Sequence, residues 1–215
     1  MPLPSGILQA WHYTPAAAAH TLVLPDGCRD LILRATPGQA PQWLVSALAD
    51  TAYGVASAAG ESFWGYRFHP GAMIDEAALL KSLHDHRLSE AHDALPLMDE
   101  FVRLDGRVTE ALQSLSDTPQ VAKAARHLGV SERSLQRLVL AATGRSPGYW
   151  KGLARIRRAA LALSSVAPLA AIAADHGYAD QAHMSREFKR WFDLSPSRFQ
   201  ASAELLRVVA ETGYG

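Results

Sequence analysis

The fold is decided by the stretch from Ala125 to Pro147, whose sequence is ARHLGVSERSLQRLVLAATGRSP. A related stretch, from Ala173 to Pro196, is AADHGYADQAHMSREFKRWFDLSP. In both, a small alanine precedes a turn glycine, a residue able to cap a helix, a basic amphipathic segment and a Ser-Pro pair. Because glycine accepts the conformation that ends a helix, and serine or aspartate starts the next, each copy predicts a helix-turn-helix.

The second helix of each copy is predicted to bury one side. Ser131 and Asp180 are the expected N-caps. The positions four and eight residues past each cap are apolar, and they hold Leu135, Val139, Met184 and Phe188. This spacing places them on one face of a helix, which leaves the opposite face exposed.

The exposed faces carry side chains suited to base recognition. Arginine can bond guanine and glutamine can bond adenine through two hydrogen bonds, and an alanine such as Ala182 can contact a thymine methyl group. The predicted DNA-binding residues are Arg133, Ser134, Gln136, Arg137, Gln181, Ala182, His183, Arg186, Lys189 and Arg190. For His183, base contact, phosphate contact and a role in the turn all stay open. Two such helices predict a partner of double-stranded DNA contacted in two adjacent major grooves.

The segment between the copies carries apolar residues at helical spacing. A helix from Ser146 to Ser165 would be about 30 Å long, close to the ~34 Å between successive major grooves on one DNA face. The same segment contains four basic residues, Lys151, Arg155, Arg157 and Arg158. For each of them, contact with a DNA phosphate and simple solvation are both open.

Charge divides the chain of 215 residues into two halves although the net charge is zero. Residues 1–116 contain 7 Lys and Arg against 13 Asp and Glu, a net charge of −6. Residues 117–215 contain 14 against 8, a net charge of +6. This asymmetry predicts a basic domain with a polyanionic partner and an acidic domain with a different task.

The N-terminal part is predicted to be β-rich. Short apolar runs (Thr21–Leu24, Leu31–Leu33 and Trp43–Val45) are separated by turn formers, and Phe63–Phe68 alternates. Trp64, Tyr66 and Phe68 share one face of that last run, where they line either a ligand pocket or the ordinary core.

The predicted fold class is α+β with two domains. Residues 1–112 form a small β-barrel or sandwich followed by helices over about 75–112, and residues 113–215, with a core at 117–200, form an all-α domain of two helix-turn-helix units joined by a long helix. Ser114–Thr118 is the expected linker, with Thr118 capping the helix that follows.

Residues 117–200 resemble the AraC/XylS family of bacterial transcription regulators. The matching residues are Ala173, Gly177, Tyr178, Asp180, Gln181, His183, Arg186, Phe188, Lys189, Arg190, Ser195, Pro196 and Phe199. Ala182, Met184 and Asp193 depart from the pattern, since serine, phenylalanine and glycine are common at these positions. The resemblance implies that Arg133, Gln136, Arg137, Gln181, His183 and Arg186 contact bases, and that the protein regulates transcription with RNA polymerase as a further partner. Activation and repression both remain open.

The N-terminal half is similar, more loosely, to a short β domain of some AraC-like regulators. The shared residues are Pro25-Asp26-Gly27-Cys28, Asp30-Leu31 and Arg67-Phe68-His69-Pro70-Gly71. This similarity implies a truncated cupin-like barrel that senses a small-molecule effector, mediates homodimerisation, or does both.

Other function classes lack a sequence signal. No nucleophile motif, carboxylate pair or phosphate loop is present, so we expect no enzyme, no cofactor and no metal site. With one cysteine, no membrane-length apolar run and no leader pattern, a cytoplasmic protein without a membrane partner is expected. The competing hypothesis is a small-molecule-binding or enzymatic cupin-like protein whose helices form an interaction module.

Overall fold

A computed structural model describes residues 3–215 of the chain. These residues form two compact units, one rich in strands and one helical. The helical unit consists of Val23–Gly27, Ala49–Tyr53 and Glu110–Gly215, and the first unit holds the other described residues. The α+β class with two domains is therefore confirmed. Two short segments of the N-terminal half nevertheless belong to the helical unit, which no local pattern predicts.

The first unit is built on an antiparallel sheet. The strands are β1 (Ile7–Tyr13), β2 (Ala19–Val23), β3 (Asp30–Ala35), β4 (Gln42–Val45), β5 (Tyr53–Ser57), β6 (Ser62–Phe68), β7 (Met73–Ile74) and β8 (Val102–Arg103). Four of them pair in the order β1-β6-β3-β4, while β2 pairs with β5 and β7 with β8. The predicted strands are present, but among residues 3–215 the sheet stays open and does not close into a barrel, because β1 and β4 are edges.

Two helices supply the apolar side chains that cover this sheet. Helix α1 (Glu76–Asp85) begins at Asp75, whose carboxylate accepts a hydrogen bond from the amide of Ala78 at 3.2 Å. Helix α2 (Leu95–Phe101) follows a 3-10 turn at Ala91–Ala94. The core joins strand and helix residues, and it includes Ile7, Leu31, Tyr66, Phe68, Leu79, Leu83 and Met98.

The remaining helices, apart from the start of the first, lie in the helical unit. They are α3 (Gly106–Asp117), α4 (Val121–His127), α5 (Glu132–Thr143), α6 (Pro147–Ala162), α7 (Leu169–Asp175), α8 (Gln181–Phe192), α9 (Pro196–Gln200) and α10 (Ala203–Val209). Large aromatic side chains fill the core of this unit; Trp150, Phe188, Trp191, Phe192 and Phe199 are all buried. Among the described residues, none of the helices combines the length and the apolar character needed to cross a membrane.

The two helix-turn-helix units are α4 with α5 and α7 with α8. Both turns contain a glycine with positive φ, +66° at Gly129 and +69° at Gly177. The amide after each glycine donates to the carbonyl of the predicted alanine, Ala125 at 3.0 Å and Ala173 at 2.9 Å. This hydrogen bond is typical of a helix that ends at a left-handed glycine, so both predicted turns are confirmed.

The connecting helix is shorter than expected. Helix α6 has 16 residues, or about 24 Å, where the sequence predicts about 30 Å. It ends early because the hydroxyls of Ser164 and Ser165 donate to the carbonyls of Leu161 and Ala162 at 2.8 and 2.7 Å. These bonds occupy carbonyls that a further helical turn would have used.

The predicted linker is also mostly helical, since α3 extends to Asp117. Thr118 does not cap the next helix; its hydroxyl instead donates to the carbonyl of Ser114 at 2.8 Å. Helix α4 instead begins after Gln120, which makes no side-chain cap.

Candidate nucleic-acid interface

Both recognition helices, α5 and α8, begin at the predicted caps. The hydroxyl of Ser131 accepts the amide of Ser134 at 3.1 Å, and the carboxylate of Asp180 accepts the amide of His183 at 2.6 Å. The predicted buried positions have no exposed surface; they are Leu135, Val139, Met184 and Phe188. Each helix is thus held against the core by one face and presents the other to solvent.

Two arginines occupy the same position on these exposed faces. Arg137 and Arg186 each lie six residues past their cap, and both are exposed. Among residues 3–215, neither guanidinium has a hydrogen-bond or ion-pair partner, and the same holds for Arg133 and the side-chain amide of Gln136. All of their donors are therefore available to an external ligand.

The far end of α8 is different. Lys189 donates to Asp193, with its Nζ 2.6 Å from the carboxylate and 3.0 Å from the carbonyl oxygen. The hydrogen bond from Lys189 lowers the pKa of the Asp193 carboxyl. Arg190 lies 3.6 Å from Glu187. These predicted DNA-binding cations are largely exposed, and exposed pairs of this kind are weak, so an anionic ligand can compete for both.

Asp193 ends α8 with φ of +56°, a conformation that Gly144 supplies with φ of +68° at the end of α5. The departure from the family pattern therefore leaves the turn intact. Aspartate tolerates this left-handed conformation better than most residues do.

The third residue of each recognition helix contacts the residues of the turn that precedes the helix. Ser134 and Ser131 join hydroxyls at 2.9 Å. The Nδ1 atom of His183 accepts the amide of Ala179 at 3.3 Å, and its ring meets that of Tyr178 edge-on at 5.3 Å. His183 therefore contacts the turn, and its contact with a base or a phosphate stays a prediction.

Two of the basic residues of α6 donate hydrogen bonds to backbone carbonyls far along the chain. Arg157 is buried and donates to the carbonyls of Val209 and Glu211 at 3.2 and 3.0 Å. Arg158 donates to the carbonyl of Ser116. Solvation was therefore the wrong expectation for Arg157, because distant backbone carbonyls bind its buried guanidinium. For the half-buried Arg158, phosphate contact stays a prediction.

The other two cations of α6 also have internal contacts. Lys151 donates to the carbonyl of Pro119 at 3.2 Å. Arg155 lies 3.6 Å from Glu187 and 4.5 Å from the ring centroid of Tyr178. Burial raises the pKa of that tyrosine to about 12. The cluster predicted on α6 therefore holds the helical unit together.

The strand-rich unit contains a cavity of about 290 Å³ beside β1 and β6. The indole of Trp11 lies over Gly65, where an added Cβ would approach it to 2.0 Å. His12 stacks on Trp64 with ring centroids 4.7 Å apart. The lining residues are Ala10, Trp11, His12, Trp64, Gly65, Tyr66 and Ala91.

Of the predicted ligand-binding residues, Trp64 and Tyr66 reach this cavity, whereas Phe68 is buried in the core. Trp11 and His12 are not among the predicted ligand-binding residues. The sequence feature that could have identified them is the aromatic run Trp11-His12-Tyr13 at the end of β1, because antiparallel pairing places these side chains beside β6.

Comparison with known proteins places the helical unit among DNA-binding domains. Residues 124–202 match the family model for a helix-turn-helix domain. The chain is 36% identical over 107 residues to the arabinose operon regulatory protein of Escherichia coli, covering 47% of this chain and 37% of that protein. It is 31% identical over 110 residues to an uncharacterized HTH-type transcriptional regulator of Haemophilus influenzae, with 49% and 37% covered. The match thus spans little more than a third of these relatives' length.

Solved structures give partial likenesses. The C-terminal domain of AraT, a response regulator from Geobacillus stearothermophilus, has 28% identity and a TM-score of 0.43, covering 46% of this chain and 87% of that one. ToxT from Vibrio cholerae has 11% identity and a TM-score of 0.47, covering 89% and 96%.

Proposed function

We propose that the chain is a DNA-binding transcription regulator of the AraC/XylS family, which residues 124–202 support, and that it recognises a specific operator through α5 and α8. The observation that carries the proposal is the pair Arg137 and Arg186. Both guanidinium groups are exposed at equivalent positions, and neither has a partner among the described residues. A guanidinium that breaks no internal bond on binding is well suited to a two-bond contact with guanine.

The two helices contribute unequally. Arg133, Gln136 and Arg137 give α5 three long exposed donors. The positions of α8 that match the first two hold Ala182 and Ser185, and the hydroxyl of Ser185 donates to the carbonyl of Gln181 at 2.9 Å. We infer that α5 supplies most base contacts, whereas Lys189 and Arg190 of α8 exchange their weak ion pairs for phosphates.

The operator should span roughly 17–20 base pairs, because two adjacent major grooves each contribute a few bases. Binding should weaken steeply as salt rises, since each phosphate neutralised by a cation releases counterions.

The N-terminal domain, taken as residues 1–112, is the proposed site of regulation. Its aromatic cavity beside β1 and β6 would hold a small planar or apolar effector against Trp64 and Tyr66, which act as a stacking surface. We further propose that the protein forms a homodimer, contacts RNA polymerase and is located in the cytoplasm, as expected for a regulator of this family. If no effector changed the DNA affinity of the full chain, the sensing role would be abandoned.

The decisive experiment is selection of bound duplexes from a random pool with the full chain. The full chain is needed because Val23–Gly27 and Ala49–Tyr53 are part of the helical unit. If the protein is a sequence-specific regulator, the selected duplexes share one sequence motif. A ligand-binding or enzymatic barrel with a helical interaction module enriches none, and that outcome would reject the proposal.

Arg137→Ala and Arg186→Ala should each cost roughly 1–3 kcal/mol of discrimination at one base pair of the selected motif. Arg207→Ala is the matched control, because Arg207 is exposed on α10 and pairs with Glu211 at 2.8 Å. Equal weakening on every sequence would instead identify Arg137 or Arg186 as a phosphate contact.

A further inference from the structure

The helical unit contains a cavity of about 280 Å³ that the proposed function does not use. Its wall comes from three parts of the unit: residues 116–119 before α4, one face of α6, and residues 175–177 at the turn of the second helix-turn-helix. The cavity thus touches the entry to the first DNA-binding unit, the helix that joins both units, and the turn of the second.

Three cations line this cavity along α6. Lys151, Arg155 and Arg158 follow one another at spacings of four and three residues, which places them on one face of the helix. Their internal contacts use only some of their donors: Lys151 gives one hydrogen bond to Pro119. The Nε atom of Arg155 is buried, and it has no acceptor among residues 3–215.

Neither acidic residue of the rim forms an ion pair with these cations among the described residues. Asp117 accepts two hydrogen bonds from the side-chain amide of Gln113, at 3.1 and 3.0 Å. Asp175 is exposed. Burial, together with the positive charge of Arg158, lowers the pKa of His176, so this ring is neutral at neutral pH. Three cations therefore line the cavity beside two carboxylates that do not pair with them, and Arg155 also lies 3.6 Å from Glu187.

We propose that this cavity binds a compact oxyanion, a phosphate or carboxylate group, through Lys151, Arg155 and Arg158. The unused donors of the Lys151 ammonium and of the Arg155 and Arg158 guanidinium groups supply charge-assisted hydrogen bonds. The volume is just below the range of drug-sized pockets, so it suits a small anion or one anionic group of a larger molecule. An anion held there would tie both helix-turn-helix units to α6.

The test is phosphate binding by the full chain without DNA, measured by calorimetry at constant ionic strength with chloride as the balancing salt. The wild-type chain should bind inorganic phosphate saturably. Lys151→Gln and Arg155→Gln should each weaken this binding about tenfold or more, because each removes a charged donor. Lys151→Gln is the gentler change, since an amide can still donate to the carbonyl of Pro119. Arg207→Gln, outside the cavity, should bind as the wild type does.

A second arm separates a free anion from a backbone phosphate of bound DNA. A free anion still binds when the chain is saturated with duplex, and Lys151→Gln leaves the salt dependence of duplex binding unchanged. A DNA phosphate excludes inorganic phosphate from the complex, and Lys151→Gln reduces the slope of log affinity against log salt by about one. The proposal is overturned if neither phosphate affinity nor this slope changes in Lys151→Gln and Arg155→Gln. Because the phosphate arm contains no DNA, its outcome is independent of operator recognition.

Discussion

Gly27→Ala tests whether Val23–Gly27 is an integral part of the helical unit. Gly27 has φ of +77°, and a Cβ built there would lie 2.8 Å from Tyr214 Cβ, 2.9 Å from Trp150 Cζ3 and 3.2 Å from Leu153 Cδ2. The amide of Tyr214 also donates to the carbonyl of Asp26 at 2.8 Å. The backbone at Gly27 is therefore in direct contact with buried side chains of α6 and the C-terminal segment.

The expected loss has two parts. A left-handed conformation costs a residue with a Cβ about 1–2 kcal/mol, and forcing a methyl group into a packed site costs about 1–3 kcal/mol more. Gly38 is the matched control, because its φ is +76° and no atom lies within 4 Å of an added Cβ. We expect Gly38→Ala to lower the free energy of unfolding by about 1–2 kcal/mol and Gly27→Ala by about 2–5 kcal/mol.

Urea unfolding followed by tryptophan fluorescence and far-ultraviolet circular dichroism measures both losses. Gly27→Ala should shift the transition reported by the helical signal, because the clash lies in the helical unit. If the two variants lose the same stability, the close packing of Gly27 does not exist in solution and the assignment of Val23–Gly27 to the helical unit is wrong.

The two buried tyrosines of the helical unit should respond differently to loss of their hydroxyls. Tyr214→Phe leaves the buried carbonyl of Leu112 without its 2.7 Å hydrogen bond, so it should cost about 1–3 kcal/mol in urea unfolding. Tyr178→Phe should cost less or stabilise the fold, since that hydroxyl has no partner among the described residues; an equal loss would contradict this. Burial raises the pKa of Tyr214 above its usual value and that of Tyr178 to about 12, so folding favours the neutral phenols. The stability that they contribute is present below the unfolded pKa near 10 and should be lost as pH rises toward 12 and beyond, in parallel with tyrosinate absorbance; a flat stability profile above pH 10 would refute this. Asp193→Gly should raise the thermal unfolding midpoint relative to Asp193→Ala because φ is +56° there, even though both variants lose the contact with Lys189; identical midpoints would show that the strain is absent.

Local patterns predicted most of the helical unit. The caps Ser131 and Asp180 act on amides three residues ahead, and Gly129 and Gly177 end the helix that precedes them. Such interactions lie within one turn of the chain, so they are visible in the order of residues. The buried stripes of α5 and α8 follow from spacing alone for the same reason.

Long-range contacts explain the errors. Arg157 looks like any exposed cation in the sequence, yet its acceptors are carbonyls 52 and 54 residues away. Phe68 shares a face of β6 with Trp64, but the helices that follow the sheet bury Phe68 and leave Trp64 at a cavity. The alternation of residues along a strand does not show which of two side chains on the same face a distant helix will cover.

By itself, the sequence determined the two helix-turn-helix units, their caps, their buried faces and the exposed arginines at matching positions, because each depends on neighbours a few residues apart. Only the tertiary structure decided that the cations of α6 serve internal contacts, that Val23–Gly27 and Ala49–Tyr53 pack with the helices, and that three separate stretches enclose a basic cavity. Each of these features depends on contacts between segments that are far apart in the chain. The partners of a charged group or hydrogen-bond donor in such a contact cannot be read from its neighbours in the sequence.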